Sequence, residues 1–482
     1  MPGERSGRTI VLFLALALAG AQPTFSPTPE MSRALERISA ASLRGNLSFI
    51  ASELLEGRDT PSRGLDIAAT YIAAQFRVAG LEPVGDDGYF QTAKLLRAAP
   101  APDGFVLRIQ DGSRTLALDK NQASVLSRYP LELSAAPVYI VRELADIKAG
   151  DLKGKVIVLA ASRGNRREIV QAATALQPAA FLETADGDSG LHGARLNDLY
   201  EEDAYGSVPR LIVRDAEAKR ALRATKTGET GLTISLKLPA ATLTPVTARN
   251  VIGLLRGSDP VLRDQYILLT AHYDHLGMDG PGRVFQGAND DGSGTVSVME
   301  IGKALATMPV HPKRSIVFMT FFGEEEGSLG SGYYARHPVF PLEKTVADLN
   351  LEQVGRTDSS AGRELSNASL TGFEYSNIAH VLQQAGRLTA VKVYEAPNGD
   401  EFFNRSDNQT FAEHGIPAHT IVVAFEYPDY HAVGDVWQKI DYDNMAKVDR
   451  MVALGSIMLA DSADAPQWNR KNAKAARYLN AR

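Results

Sequence analysis

The stretch that decides the fold is Ile316-Val317-Phe318-Met319-Thr320-Phe321-Phe322, followed at once by Gly323-Glu324-Glu325-Glu326-Gly327. An apolar run with no polar alternation predicts a strand covered on both faces. The glycine ends it, and carboxylates stand at its tip. Burying carboxylates without partners costs several kcal/mol each. Divalent cations would remove that cost.

Working outward, the same arrangement recurs. Residues 250–255 and 266–271 are strand-length apolar runs joined by the turn-like Gly257-Ser258-Asp259-Pro260. The second run leads into Ala271-His272-Tyr273-Asp274-His275-Leu276-Gly277. Residues 346–351 deliver Asn350-Leu351-Glu352, and a run at 418–423 precedes Tyr430-His431 and Asp435. Gly287-Ala288-Asn289-Asp290-Asp291-Gly292-Ser293-Gly294 opens a helix over 295–306, and another helix is expected over 373–386. Strands spaced by helices predict an α/β fold: a mixed, mostly parallel sheet flanked by helices, with its ligand crevice beyond the strand ends. A lone His or Asp is usually only solvated, and a Gly-Ser-Gly loop is usually a turn. Two His and several acids at strand ends together are what a hydrolytic metal pair needs.

Upstream, apolar residues at 65, 68, 69, 72, 73, 76 and 79 repeat with a helical period, and Gly80 is the natural stop. Residues 31–57 also read as helical. Residues 120–245 have a different texture, with short apolar runs such as 156–159 and 211–213 between helix-like stretches. They hold no His and acid cluster, so they are expected to be an inserted smaller α/β or β-rich domain. It would divide a catalytic domain into 22–119 and 246–465. The polar, basic tail 466–482 is expected on the surface.

The chain has 482 residues, 44% hydrophobic and 22% charged, with net charge −6. That suits a multidomain globular protein, and the negative charge argues against nucleic acid as a partner. With no cysteine and nine histidines, disulfides and thiolate chemistry are excluded, and a metal must rest on His and carboxylate. Arg5, Arg8, the apolar run 10–19 and Ala19-Gly20-Ala21 form a signal-peptide pattern over 1–21. The run is short for a membrane span. Export to a bacterial periplasm or medium is therefore expected, with no stable anchor after cleavage.

In combination and order, these motifs resemble the M28 family of dinuclear zinc peptidases, especially secreted aminopeptidases with an inserted protease-associated domain. Glu53-Leu54-Leu55-Glu56-Gly57-Arg58 and Gly80-Leu81-Glu82-Pro83 also look like this family. The resemblance implies a zinc aminopeptidase-like fold, two Zn²⁺ per chain, and a peptide or protein substrate. It implies His272, Asp290, Glu325, Glu352 and His431 as metal ligands, with Asp290 bridging and Asp274 orienting His272. It makes Glu324 the general base, Tyr430 an oxyanion donor and Arg405 a substrate contact. Two places depart from the common pattern. Glu352 stands where many members have Asp, and Asn408 follows Arg405-Ser406-Asp407 where His is frequent. The competing readings are a single-zinc glutaminyl cyclase-like acyltransferase, a carboxypeptidase or dipeptidase of the same fold, and a binding protein that lost its metals. The intact His272-x-Asp274 argues against the cyclase, and the retained ligand set with Glu324 against the binding protein. Preferred N-terminal residue and oligomeric state are left open.

Overall fold

The structure is a computed structural model of the chain. It describes residues 25–99, 104–119, 122–126, 130–147, 152–160, 163–184, 198–201, 208–239, 242–280, 282–360 and 362–479. The expected signal peptide, 1–21, lies outside the described residues.

The expected helix over 65–79 is present as Arg63–Ala79. The Ser62 hydroxyl accepts from Leu65 N, and Gly80 closes the helix at φ 80°. The helical reading of 31–57 resolves into three pieces, Pro29–Glu36, Ala40–Ile50 and a 3₁₀ turn Glu53–Arg58. The other two expected helices appear as Gly294–Leu305 and Ile378–Thr389.

A ten-stranded sheet forms the frame. Its main path runs Lys392–Tyr394, Asn367–Leu370, Ala418–Val422, Thr345–Leu351, Tyr266–His272, Ser315–Phe321, Thr242–Leu255, Phe90–Ala99, Asp198–Glu201. The middle four, from Ala418–Val422 to Ser315–Phe321, are mutually parallel. Their neighbours Asn367–Leu370 and Thr242–Leu255 pair antiparallel, so the sheet is mixed and parallel where the strands carrying the expected ligands lie. Every residue of Ser315–Phe321 and of Thr345–Leu351 is buried, as runs apolar on both faces require. The register places His272 beside Phe321, and Thr270 beside Asn350, which pairs Thr420. The chemical residues thus leave the sheet at one edge.

An eight-stranded sheet carries its own core, including Ile109, Ile140, Val158, Leu182, Leu211 and Ile234. It includes Val106–Asp111 and Arg114–Leu118, ahead of residue 120, where composition changes. The tail also differs from expectation. Trp468, Ala475 and Tyr478 are buried in a cluster with Phe403, Tyr375 and Ile416. The Trp468 ring stacks on Tyr478, and its Nε1 donates to Gly415 O at 3.0 Å.

Candidate metal centre

Five segments meet beyond the C-terminal ends of the parallel strands. His272 is the last residue of its strand, and Glu352 is the first after Leu351. Glu324 and Glu325 follow Phe321 through the Gly323 turn, at φ 67°. Asp290 lies in the buried turn Ala288–Ser293 that opens the helix Gly294–Leu305. His431, in the left-handed region at φ 53°, stands on the loop after Ala418–Val422.

The side chains converge. His272, Asp290 and Glu352 can each offer a ligand atom such that all lie within 4.8 Å of one another, and so can His275, Asp290 and Glu325. Asp290 belongs to both groups. Its Oδ1 is 3.4 Å from His272 Nε2, and its Oδ2 is 3.0 Å from His431 Nε2. His431 Nε2 is also 3.4 Å from Glu325 Oε2. The structure therefore brings together all five expected ligands, with His275 among them.

His275 is the residue that motif reading passed over. It is buried, and its Nδ1 lies 2.8 Å from Glu325 Oε1. The available signal was the second His of His272-x-x-His275. Asp435, noted beside His431, turns out to be an anchor: its carboxylate accepts from Asn289 N, Asp290 N and the Tyr427 hydroxyl. Asp274 stands 3.4 Å from His272 Nδ1. Its hydrogen bonds come from the backbone of Glu324, at 3.1 Å, and Glu325, at 3.3 Å. It joins the histidine strand to the glutamate turn.

The electrostatics are those of crowded acids. Burial pushes Glu324 well above the carboxylate range; Glu352, Asp407 and Glu325 add to this, and His272 opposes it. Burial raises Glu352 to about 7 against the pull of His272, with Asp290 adding to the rise. Burial also pushes Asp290 up, but the facing His272 and His431 imidazoles hold it well below the usual range. Burial lowers His431, and Asp290 and Glu325 lift it to about 10. Burial and the nearby carboxylates Asp290, Glu325 and Glu352 keep the Tyr430 phenol protonated.

The donor set fits zinc. His272 Nε2 is buried and has no hydrogen-bond partner, though it faces Asp290. With bonds of about 2.1 Å to N and O, a tetrahedral ion sets its ligand atoms about 3.4 Å apart. The His272–Asp290 and His431–Glu325 separations, 3.4 Å each, match that spacing.

Arg405 is exposed and lies over the Phe402 ring at 4.7 Å. It lines a narrow cavity of about 30 Å³ with Glu352, Phe402, Phe425 and Tyr430. Asp407 is buried and accepts from the Ser331 hydroxyl at 2.5 Å. Asn408 donates to Phe403 O and accepts from the Thr420 hydroxyl, away from the His272–Asp290 cluster in its contacts.

Residues 250–455, which carry every one of these candidate ligands, match the family model for peptidase family M28. Through this segment the chain is similar to peptidase family M28. Among similar proteins, aminopeptidase YwaD of Bacillus subtilis is 26% identical over 247 residues, 50% of each chain. The chain thus spans half the length of that relative. Probable leucine aminopeptidase 2 of Aspergillus fumigatus is 25% identical over 386 residues, 73% of this chain and 72% of its own. In fold, the chain is similar to an aminopeptidase of Aneurinibacillus sp. strain AM-1. That match has a TM-score of 0.58 at 20% identity and covers 91% of this chain and 100% of the other. Among the described residues, no helix is long and apolar enough to cross a membrane.

Proposed function

We propose that this protein is an exported aminopeptidase that holds two zinc ions per chain. The observation that carries this reading is the shared carboxylate: Asp290 belongs to two separate groups of potential ligands. His272 and Glu352 complete one group and His275 and Glu325 the other; His431, with Nε2 3.0 Å from Asp290 Oδ2 and 3.4 Å from Glu325 Oε2, would be the histidine of the second ion. His275 engages Glu325 Oε1 and leaves Oε2 toward His431. When bound, the ions would polarise the substrate carbonyl and acidify a water between them.

The remaining roles belong to the protein. Glu324, at the tip of its strand and 3.9 Å from His272 through Oε2, takes the proton of the attacking water and hands it to the leaving amine. Tyr430, held neutral and stacked on His431 at 4.0 Å, donates to the developing oxyanion. Arg405, at the edge of the narrow cavity beside Glu352, contacts the bound substrate. The eight-stranded sheet, most of it within the expected insertion 120–245, acts as a protease-associated-like module that limits substrate size, and residues 1–21 direct export.

The test is cleavage of matched peptides with free and acetylated N-termini by the purified mature chain. Release of N-terminal residues from the free peptide alone supports the proposal. Equal cleavage of the blocked peptide contradicts it.

A further inference from the structure

The stretch Glu53-Leu54-Leu55-Glu56-Gly57-Arg58 holds no proposed ligand, yet it is built into the site. Glu56, Gly57 and Arg58 have φ of 51°, 71° and 53°, three successive residues in the left-handed region. Such backbone is unfavourable for side-chain-bearing residues and persists only where surrounding contacts impose it. Those contacts are with the ligand loops. Gly57 O accepts from Gly277 N at 3.0 Å, and Arg58 O from His275 N at 3.2 Å. A Cβ on Gly57 would stand 2.3 Å from Gly277 O and 2.5 Å from Phe285 O. The turn is therefore threaded between the backbone following His272 and the backbone leading to Asp290.

The Arg58 side chain completes the join and is fully buried. Its Nε donates to Tyr273 O at 2.7 Å, Nη1 to Ile50 O at 2.6 Å and Gln286 O at 2.7 Å, and Nη2 to Gly287 O at 2.9 Å. None of these acceptors is a carboxylate. A guanidinium buried among neutral carbonyls needs negative charge nearby. Burial draws Arg58 down to about 10, and Asp274, Asp435, Asp291 and Asp290 oppose that, so it stays charged at neutral pH. Tyr273 follows His272 directly, and Gln286 and Gly287 shortly precede Asp290.

We infer that Arg58 is a positioning residue that sets the separation of His272 and Asp290 by clamping the backbones of their two loops. The clamp needs the planar fork of arginine. A lysine has one nitrogen with three N–H groups and cannot span acceptors on three segments. Loss of groups that orient ligands from behind typically lowers metal affinity 10–100-fold.

The inference rests on the two-zinc reading, so the experiment separates the two. Arg58→Lys and Arg58→Met are made in the full chain. Zinc stoichiometry and Kd are measured by chelator competition, and amide hydrogen exchange is followed in the zinc-free protein. The expected result is folded variants whose zinc Kd rises at least about 10-fold. Exchange should quicken in 273–277 and 286–291 and stay unchanged in the eight-stranded sheet. Wild-type Kd and wild-type exchange in a folded Arg58→Lys chain would overturn the inference. So would failure of both variants to fold, which would assign Arg58 to the general core. A wild-type chain that takes up no zinc defeats the two-zinc reading, while the exchange measurement still decides whether Arg58 clamps the loops.

Discussion

Oδ2 of Asp290 lies 3.0 Å from Nε2 of His431, while Oδ1 of the same carboxylate faces His272 at 3.4 Å. One side chain thus divides its two oxygens between imidazoles from different strand ends. A carboxylate placed this way can serve two ions at once, and the consequences of that arrangement can be measured residue by residue.

Glu324 is the proposed proton carrier and belongs to neither ligand group. Glu324→Gln is expected to keep the zinc content of the wild type and to lower kcat at least about 100-fold, as for a lost general base. Metal analysis alongside steady-state kinetics checks both halves. Near-normal kcat with full metal would move the assignment away from Glu324.

Glu352 groups with His272 and Asp290. Glu352→Ala is expected to release one ion preferentially, because the other group is untouched. Glu352→Asp retracts the carboxylate by one methylene, and a misplacement of about 1 Å can lower turnover on the order of 100-fold. Zinc stoichiometry and kcat/KM of the two variants provide the comparison. Unchanged values in both would remove Glu352 from the ligand set.

His419 links pH to stability away from the metal centre. It is fully buried, with Nδ1 2.8 Å from Thr371 O and Nε2 2.6 Å from the Ser376 hydroxyl. That pattern suits the neutral ring, with Nδ1–H donating and Nε2 accepting. Burial lowers it to about 4, with the Thr371 carbonyl opposing. A folded value below the unfolded one, about 6.5, means the stabilisation is complete above pH 6.5 and is lost as pH falls toward 4. The full effect is about 3 kcal/mol. Urea unfolding at pH 7.5 and 4.5 should show a smaller pH dependence in His419→Gln than in the wild type, and equal dependence would contradict the assignment.

Trp468 tests the unexpected packing of the tail. Trp468→Ala removes a buried ring stacked on Tyr478 and a hydrogen bond to Gly415 O. A loss of about 3–5 kcal/mol is expected in denaturant unfolding. A tail lying only on the surface would lose almost nothing.

The parallel strands and the candidate ligands at their ends were legible because each buried run ends abruptly in charged residues, as at Phe322-Gly323-Glu324 and Leu351-Glu352. Periodicity and a glycine stop likewise announced the helix Arg63–Ala79. What sequence could not show was set by tertiary contact. Nothing local separates His275, held against Glu325, from a second solvated histidine. Arg58 reaches carbonyls more than two hundred positions away, as the 2.7 Å bond to Gln286 O shows. The strands Val106–Asp111 and Arg114–Leu118 lie ahead of the change in composition at 120, and only their pairing assigns them to the smaller sheet. Trp468 and Tyr478 are sparse apolar residues in a basic stretch, so only the cluster around Phe403 reveals their burial.

The most direct test of the two-zinc centre is titration of the chelated full chain with Zn²⁺, with bound metal and aminopeptidase activity followed together. Asp290 in two ligand groups predicts uptake of two equivalents per chain, restoration of activity with that uptake, and loss of both tight sites in Asp290→Ala. Full activity at one equivalent, or activity in the metal-free protein, would contradict the account.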